Sequence, residues 1–218
     1  MQNSDVLDRI REFGIVPVIV IDDAADAVPL ATALSEAGLP CAEVTFRTAA
    51  AGDAIRRIAD AFPDMLLGAG TVLTAGQVQE AVAAGARFIV APGFSPRVVD
   101  ACLERALPVF PGVCTPSEIE MGLERGLGVL KFFPAEPMGG VAYLKAIAGP
   151  YGGVQFIPTG GINADNVTSY LSLRSVAACG GSWMAGATAI REKRFDRIRE
   201  DTSNAVETVR SARRGGIR

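Results

Sequence analysis

The chain has 218 residues, of which 49% are hydrophobic, and a formal net charge of −3. This length predicts one α/β domain over residues 1–218, and the charge leaves no overall basic surface for nucleic acid. Histidine is absent, which excludes Ser-His-Asp and Cys-His nucleophile systems as well as His-ligated zinc. Any proton transfer must therefore use Glu, Asp, Lys, Tyr, Cys or water.

In chain order, an amphipathic stretch, SDVLDRIREFG, predicts a helix that precedes the first strand. Eight apolar segments follow at spacings of about 20 to 27 residues, the size of a βα unit. They are IVPVIVI (15–21), CAEVTF (41–46), MLLGAGTV (65–72), RFIVAPG (87–93), LPVFPGV (107–113), GVLKFFP (128–134), VQFIPTGG (154–161) and SVAACGG (175–181). Several of the Ala-rich stretches between them begin with Ser, Thr or Asp and end at Gly, as helices often do. A charged stretch, REKRFDRIREDTSNAVETVRSA, predicts a closing helix.

Alternating strands and helices predict a parallel sheet. Eight such units in this length predict a (β/α)₈ TIM barrel with an extra N-terminal helix. The competing architecture is an open doubly wound sheet. That fold usually has a Gly-rich loop after the first strand, and IVPVIVIDDAADA has none.

The second strand segment carries charges on one face. In such a barrel the active site lies at the carboxyl ends of the strands. Along EVTFRT, alternation places Glu43, Thr45 and Arg47 on one face and apolar side chains on the other. The polar face should point into the barrel, where a buried charge is costly unless it is paired or used. A structural Glu43–Arg47 ion pair is the alternative.

The sixth strand segment carries a lysine among Val, Leu and two Phe residues. Alternation turns Lys131 and Phe133 inward, whereas Phe132 faces the helices. Burial disfavours the ammonium form of Lys131, and a neutral amine is a nucleophile that forms a Schiff base with a carbonyl. The structural alternative is a lysine that reaches the barrel mouth or pairs with Glu43.

Three further strand ends carry glycine and hydroxyl groups. GAGTV places the Thr71 hydroxyl at the mouth, although tight packing or a turn also explains its glycines. PTGGI and CGGSW each lead into helix-like sequence, and this fold binds phosphate at the ends of strands seven and eight. Ordinary turns need glycine too. Two such ends in adjacent units, one followed by Ser182, predict a phosphate site, and the whole set predicts carbon–carbon bond chemistry on a phosphorylated keto acid.

Cysteine usage and hydropathy indicate the compartment. The cysteines at 41, 102, 114 and 179 form no CxxC pair and lie in apolar contexts, which is typical of reduced, buried thiols. Every apolar run is much shorter than the roughly 20 residues that span a bilayer, and the acidic start does not fit a secretory signal. The basic tail RSARRGGIR is interpreted as a solvated terminus. We therefore predict a cytoplasmic protein without a membrane or nucleic-acid partner.

At these residues the chain resembles the 2-keto-3-deoxy-6-phosphogluconate (KDPG) aldolase family, whose members commonly also act as 4-hydroxy-2-oxoglutarate (KHG) aldolases. The similarity runs from VPVIV near residue 16 to GGSWM near residue 184. VPVIV, EVTFRT, GAGTVL, KFFPAE, PTGGI and GGSW keep the family's order and spacing. KFFPAE with EVTFRT upstream is the specific signal. One departure is Cys114, where the family more usually has Ser.

The resemblance implies a homotrimeric TIM barrel without cofactor or metal. It implies a class I aldolase of the Entner–Doudoroff pathway that cleaves KDPG reversibly to pyruvate and glyceraldehyde 3-phosphate, with KHG aldolase and oxaloacetate decarboxylase activity as further options. Lys131 matches the Schiff-base lysine, and Glu43 matches the general acid/base. The matching substrate-binding residues are Arg47 and Thr71 for the pyruvate carboxylate, Thr159 near the aldehyde-derived half, and Gly160, Gly161, Gly181 and Ser182 for phosphate.

Three alternatives stay open at this point. Phosphogalactonate aldolases are related, but they more often carry KLFPA, so KFFPAE with PTGGI favours the gluconate-type enzyme. A phosphate-binding barrel of the thiamine-phosphate synthase type would use Lys131 only as a charge. A non-catalytic ligand-binding barrel would have no use for a buried Glu43–Lys131 pair beyond structure.

Overall fold

Parallel strands alternate with helices along the whole of the computed structural model, which describes residues 3–215. The chain is therefore an α/β protein with parallel sheets, as the alternation predicts. The end of the basic tail, from residue 216 on, lies outside the described residues. No helix within residues 3–215 has the length and apolar character needed to cross a membrane.

The strands are short, and each begins inside an apolar segment. They are β1 (Ile15–Ile19), β2 (Cys41–Thr45), β3 (Leu66–Gly70), β4 (Phe88–Val90), β5 (Val109–Phe110), β6 (Gly112–Val113), β7 (Val129–Phe132), β8 (Gln155–Pro158) and β9 (Cys179–Gly181).

Helices follow the strands and cover the sheets. They are α1 (Asn3–Phe13), α2 (Ala27–Glu36), α3 (Ala51–Ala61), α4 (Ala75–Ala83), α5 (Pro96–Leu103), α6 (Pro116–Leu123), α7 (Gly140–Ala148), α8 (Val167–Leu171), α9 (Ala187–Arg191) and α10 (Phe195–Gly215). The start of α6 shows how sequence sets a boundary. Thr115 accepts a hydrogen bond from the N–H of Glu118, the Glu118 carboxylate caps the Thr115 N–H in return, and Pro116 occupies the first turn.

Every strand pairing is parallel, and the strands form two sheets. One has the order β5-β4-β3-β2-β1-β9 and the other the order β6-β7-β8. Isolated bridges join Phe156 to Val176 and Thr159 to Gly180, so they link β8 to the segment that carries β9. The carboxyl ends of all these strands therefore lie on one side of the molecule.

The single fifth strand predicted over 107–113 is wrong in one respect, because it is two short strands separated by Pro111. Proline has no N–H to give to a sheet. At this residue the chain changes partners: β5 pairs with β4, whereas β6 pairs with β7. The Pro111 carbonyl still takes part in the sheet, because it accepts a hydrogen bond from the Lys131 N–H at 3.0 Å.

Candidate active site

The buried lysine of β7 lies beside the buried glutamate of β2. Lys131 is 5% exposed and Glu43 is 3% exposed. Lys131 Nζ lies 3.8 Å from Glu43 Oε1 and 4.9 Å from the centre of the Phe133 ring. Phe132 instead stacks on Tyr143 of α7, with ring centres 5.9 Å apart. The alternation inferred from the sequence is therefore seen along β7.

The Glu43–Lys131 pair has poor geometry for a structural salt bridge. Its 3.8 Å separation is longer than a hydrogen bond. Glu43 Oε1 is also buried without a hydrogen-bond partner among the described residues. A buried ion pair stabilises a fold only when hydrogen bonds satisfy both ions. Glu43 thus keeps an oxygen that can accept a proton or a hydrogen bond from something else.

The end of β3 leaves space for the Glu43 carboxylate of β2. Gly70 lies opposite Thr45 in the sheet register, and a Cβ on Gly70 would lie 2.1 Å from Glu43 Oε1. A side chain at this position would therefore displace the carboxylate, and the tight-packing interpretation of the glycines in GAGTV is correct here. Thr45 serves structure, since its hydroxyl donates to the Ile19 carbonyl at 2.7 Å. Of the three polar residues on this strand face, Glu43 alone is buried without such a partner.

Arg47 lies beyond β2, in a turn, and its side chain is exposed. The Glu43–Arg47 ion pair considered above is not found among residues 3–215, where Lys131 is the ion-pair partner of Glu43. Arg47 instead lines a cavity of about 260 Å³ at the carboxyl ends of the strands. A guanidinium in such a position can bind a carboxylate with two parallel hydrogen bonds.

The same cavity collects most of the residues that the sequence singled out. Its lining includes Arg47, Phe133, Thr159, Gly160, Gly161, Gly181 and Ser182. Phe133 connects this cavity to the lysine, because its ring contacts Lys131 Nζ and also lines the wall. Lys131 and Glu43 do not line this cavity themselves, and Lys131 is connected to it through its contact with the Phe133 ring.

The glycines after β8 adopt a conformation that other residues resist. Gly160 has φ 99° and Gly161 has φ 83°, both in the left-handed region that favours glycine. Their carbonyl oxygens point into the protein: that of Gly160 accepts from the Glu136 N–H at 3.0 Å, and that of Gly161 accepts from Asn166 Nδ2 at 2.9 Å. Consecutive glycines held in this way can present their N–H groups to an anion.

Thr71 is placed differently from the other predicted residues. It follows β3 directly, is half-buried, and does not line the 260 Å³ cavity. Its φ of 54° is rare for a β-branched residue. Strain of this kind concentrates at functional sites, so it supports Thr71 as a site residue.

The cysteines are free and poorly suited to nucleophilic chemistry. Burial raises the pKa of Cys102 to about 12 and moves the pKa values of Cys41 and Cys179 well above the ordinary range. Cys114, at the end of β6, has a pKa raised by partial burial and then by the Glu118 carboxylate. In the described part of the chain, no group of three or more His, Cys, Asp or Glu residues could hold a metal ion.

Sequence reasoning missed two neighbours of the site. Gly70 makes room for Glu43, and only the register of β2 against β3 reveals it. Glu136 packs against Gly160 and Gly161, and its contacts with them join segments that are distant in sequence. The available signal was weak: Glu136 belongs to the conspicuous segment KFFPAE, but nothing local says what it faces.

The arrangement matches a known family. The model of the KDPG and KHG aldolase family matches residues 6–200. This chain belongs to that family. The family predicted from KFFPAE and EVTFRT is therefore confirmed, and this aldolase is a lyase.

Relatives of this aldolase match over nearly their whole length. The 2-dehydro-3-deoxy-phosphogluconate aldolase of Treponema pallidum (strain Nichols) is 47% identical over 205 residues, covering 94% of this chain and 96% of the relative. The KHG/KDPG aldolase of Escherichia coli (strain K12) is 47% identical over 193 residues, covering 88% and 91%. A crystal structure of KDPG aldolase from Legionella pneumophila, with pyruvate captured at low pH as a covalent carbinolamine intermediate, is 43% identical with a TM-score of 0.89, covering 94% of this chain and 98% of that one.

Proposed function

We propose that this protein is a class I aldolase that cleaves KDPG reversibly to pyruvate and glyceraldehyde 3-phosphate through a Schiff base on Lys131. The observation that carries the proposal is the buried amine of Lys131, 3.8 Å from a Glu43 oxygen that has no other partner among the described residues. The carbinolamine in the Legionella pneumophila relative supports the same chemistry, because it is the addition product of an amine and pyruvate.

Lys131 acts first as the nucleophile. The neutral amine attacks the C2 ketone of KDPG, and the carbinolamine that forms loses water to give an iminium ion. The iminium accepts the electrons that are released when the C3–C4 bond breaks. Burial of Lys131, with the Phe133 ring against its amine, limits side reactions with water.

Glu43 acts as the general base and then as the general acid. Directly or through one water, it takes the proton from the C4 hydroxyl while the C3–C4 bond breaks and glyceraldehyde 3-phosphate leaves. The enamine that remains on Lys131 is then protonated at C3 by Glu43. Water hydrolyses the resulting iminium, which frees pyruvate and restores the amine. Both proton transfers require a free carboxylate oxygen, and Glu43 Oε1 has no hydrogen-bond partner within residues 3–215.

The remaining residues hold the two ends of the substrate. Arg47 and Thr71 bind the carboxylate, and Thr159 lies near the aldehyde-derived half. The phosphate binds to the backbone of Gly160, Gly161 and Gly181 and to the Ser182 hydroxyl. Fixing both ends against a buried amine supplies the positioning on which such catalysis depends.

The proposal extends to architecture. The two sheets close into a (β/α)₈ barrel with α1 as an extra helix, in one domain over residues 1–218 that assembles as a cytoplasmic homotrimer. Closure is supported by the single residue that separates β5 from β6 and by the bridges between β8 and the β9 segment. Light scattering after size-exclusion chromatography tests the assembly, and a mass other than three chains would contradict it.

The substrate proposal is tested by comparing kcat/KM on three substrates: KDPG, its phosphogalactonate epimer and 4-hydroxy-2-oxoglutarate. We expect KDPG to be the best substrate and 4-hydroxy-2-oxoglutarate to be a weaker one that the same amine can still cleave. Oxaloacetate decarboxylation, which also proceeds through an iminium, is measured alongside. Preference for the epimer would assign the protein to the galactonate-type enzymes, and no cleavage of any of them would refute the proposed function.

A further inference from the structure

A glutamate lies directly behind the proposed phosphate-binding glycines. The Glu136 N–H donates to the Gly160 carbonyl at 3.0 Å. A Cβ on Gly161 would lie 2.6 Å from Glu136 Cβ and 2.7 Å from Glu136 Cγ. The aliphatic stem of Glu136, and not its carboxylate, therefore faces Gly161. A carboxylate free to turn toward a bound phosphate would repel it.

The Glu136 carboxylate is held on the other side by a buried tyrosine. Tyr170 of α8 is fully buried, and its hydroxyl donates to Glu136 Oε1. Burial, followed by this hydrogen bond and the Glu136 charge, raises the pKa of Tyr170 well above its ordinary value. The hydroxyl consequently stays protonated, and stays a donor, at neutral pH.

Both groups meet the first residue of α7. A Cβ on Gly140 would lie 3.1 Å from Glu136 Oε1 and 3.2 Å from the Tyr170 hydroxyl. The carboxylate thus lies beside the N-terminal end of a nine-residue helix, where the helix dipole favours negative charge. The hydrogen bond from Tyr170 of α8 therefore holds the Glu136 charge at a place that the N-terminal end of α7 favours.

We propose that Tyr170 and Glu136 are positioning residues for the phosphate, with the Tyr170 hydroxyl holding the Glu136 carboxylate away from the glycines that bind it. The proposal rests on the proposed function, since it needs a phosphorylated substrate at Gly160 and Gly161. Glu136 has two roles in this arrangement. Its backbone N–H and stem fix the glycines, and its charge is kept where it does not oppose the ligand.

Tyr170→Phe removes the hydroxyl and leaves the ring that fills the core. The freed Glu136 carboxylate then opposes the phosphate, so KM for KDPG should rise by about tenfold, with little change in kcat. The kcat/KM for 4-hydroxy-2-oxoglutarate, which has no phosphate, should stay the same. Steady-state kinetics on the two substrates separates this effect from a general loss of structure, which would lower activity on both.

Two substitutions at Glu136 give opposite predictions. Glu136→Asp keeps the charge but is too short to reach the Tyr170 hydroxyl, so KM for KDPG should rise. Glu136→Gln keeps the hydrogen bond and removes the charge, so KM should not rise. If Tyr170→Phe fails to fold, as judged by circular dichroism and Tm, the comparison of Asp with Gln at Glu136 decides the question alone.

Tyr151→Phe is the matched control, because the Tyr151 hydroxyl also donates to a glutamate, Glu120, at 3.0 Å. Tyr151 does not line the phosphate cavity, and we expect its variant to keep the wild-type kinetics on both substrates. If Tyr170→Phe and Glu136→Asp leave KM for KDPG unchanged, or change both substrates equally, the inference is wrong and the proposed function stands. If the wild-type protein does not prefer the phosphorylated substrate, the phosphate site fails, and this inference fails with it.

Discussion

The two halves of the site are built by opposite means. The Lys131–Glu43 half consists of side chains from the middle of two strands, both almost fully buried, and Gly70 on the neighbouring strand makes room for Glu43. The half at Gly160 and Gly161 consists of backbone beyond the strand ends, open to the cavity and fixed by hydrogen bonds to its carbonyls. Buried side chains supply reactivity, whereas ordered backbone supplies recognition without charge. Substitutions should therefore change kcat in the first half and KM in the second.

The largest effect is expected at Lys131. Lys131→Arg keeps the positive charge but cannot form a Schiff base, so kcat for KDPG cleavage should fall by about 10⁴-fold or more. Lys131→Met removes the charge as well, and its kcat should be as low as that of Lys131→Arg. Lys145→Arg, on the exposed face of α7, is the control and should keep full activity. Substantial activity in Lys131→Arg would favour the barrel without a Schiff base, in which this lysine is only a charge.

Glu43→Gln should slow the proton transfers while leaving the Lys131 amine in place. Loss of a general acid/base lowers kcat by about 10²- to 10⁴-fold. KM should change little, because Glu43 does not line the cavity in which we propose that the phosphate binds. Stopped assays of pyruvate release measure the effect. Near-normal turnover would remove Glu43 from the mechanism and leave it as a partner of Lys131 only.

Gly161→Ala should affect binding more than turnover. Its φ of 83° is unfavourable for alanine, and the new methyl group would meet the stem of Glu136. Loss of one charge-assisted hydrogen bond to phosphate corresponds to a rise in KM of about 10- to 100-fold. Gly153→Ala is the matched control, because a Cβ there meets nothing within 4 Å. A fall in kcat at unchanged KM would contradict the division between the two halves.

The smallest effect concerns neither half. Thr115→Ala removes the cap of α6 and should lower the free energy of unfolding by about 1 kcal/mol. For a chain of this size that corresponds to a fall in Tm of roughly 2–4 °C. Ser117→Ala, in the exposed first turn of the same helix, should change Tm less. A loss of activity without loss of stability would show that the cap also orders Cys114, whose N–H donates to Glu118 at 2.8 Å.

Much of the fold could be predicted because the hydrophobic periodicity of a segment and the glycines at its ends depend only on local sequence. Alternation along EVTFRT and KFFPAE was enough to turn Glu43 and Lys131 inward. The fifth strand was predicted wrongly as one continuous strand. Pro111 interrupts it because the chain changes its pairing partner there, from β4 to β7, and this change leaves no local pattern in the sequence. β4 also ends inside its predicted segment, at Val90, because Pro92 and Gly93 follow, and β9 begins only at Cys179, four residues into its predicted segment.

The contacts behind the site could not be predicted. The space that Gly70 gives Glu43 depends on the register of two strands about 25 residues apart. The hydrogen bond from Tyr170 to Glu136 joins residues 34 positions apart. Each depends on how segments pack in three dimensions, and neither leaves a local pattern. The residue types that carry chemistry were therefore visible in the sequence, whereas the residues that hold them in place were not.

The decisive measurement is covalent trapping with pyruvate. The protein is incubated with pyruvate and sodium borohydride, which reduces an iminium to a stable secondary amine, and the intact mass and peptide masses are then recorded. The mechanism predicts one added pyruvate-derived group per chain, located on Lys131 and absent from Lys131→Arg. The absence of an adduct, or an adduct on Lys145 or Lys193, would contradict the assignment of Lys131 as the nucleophile.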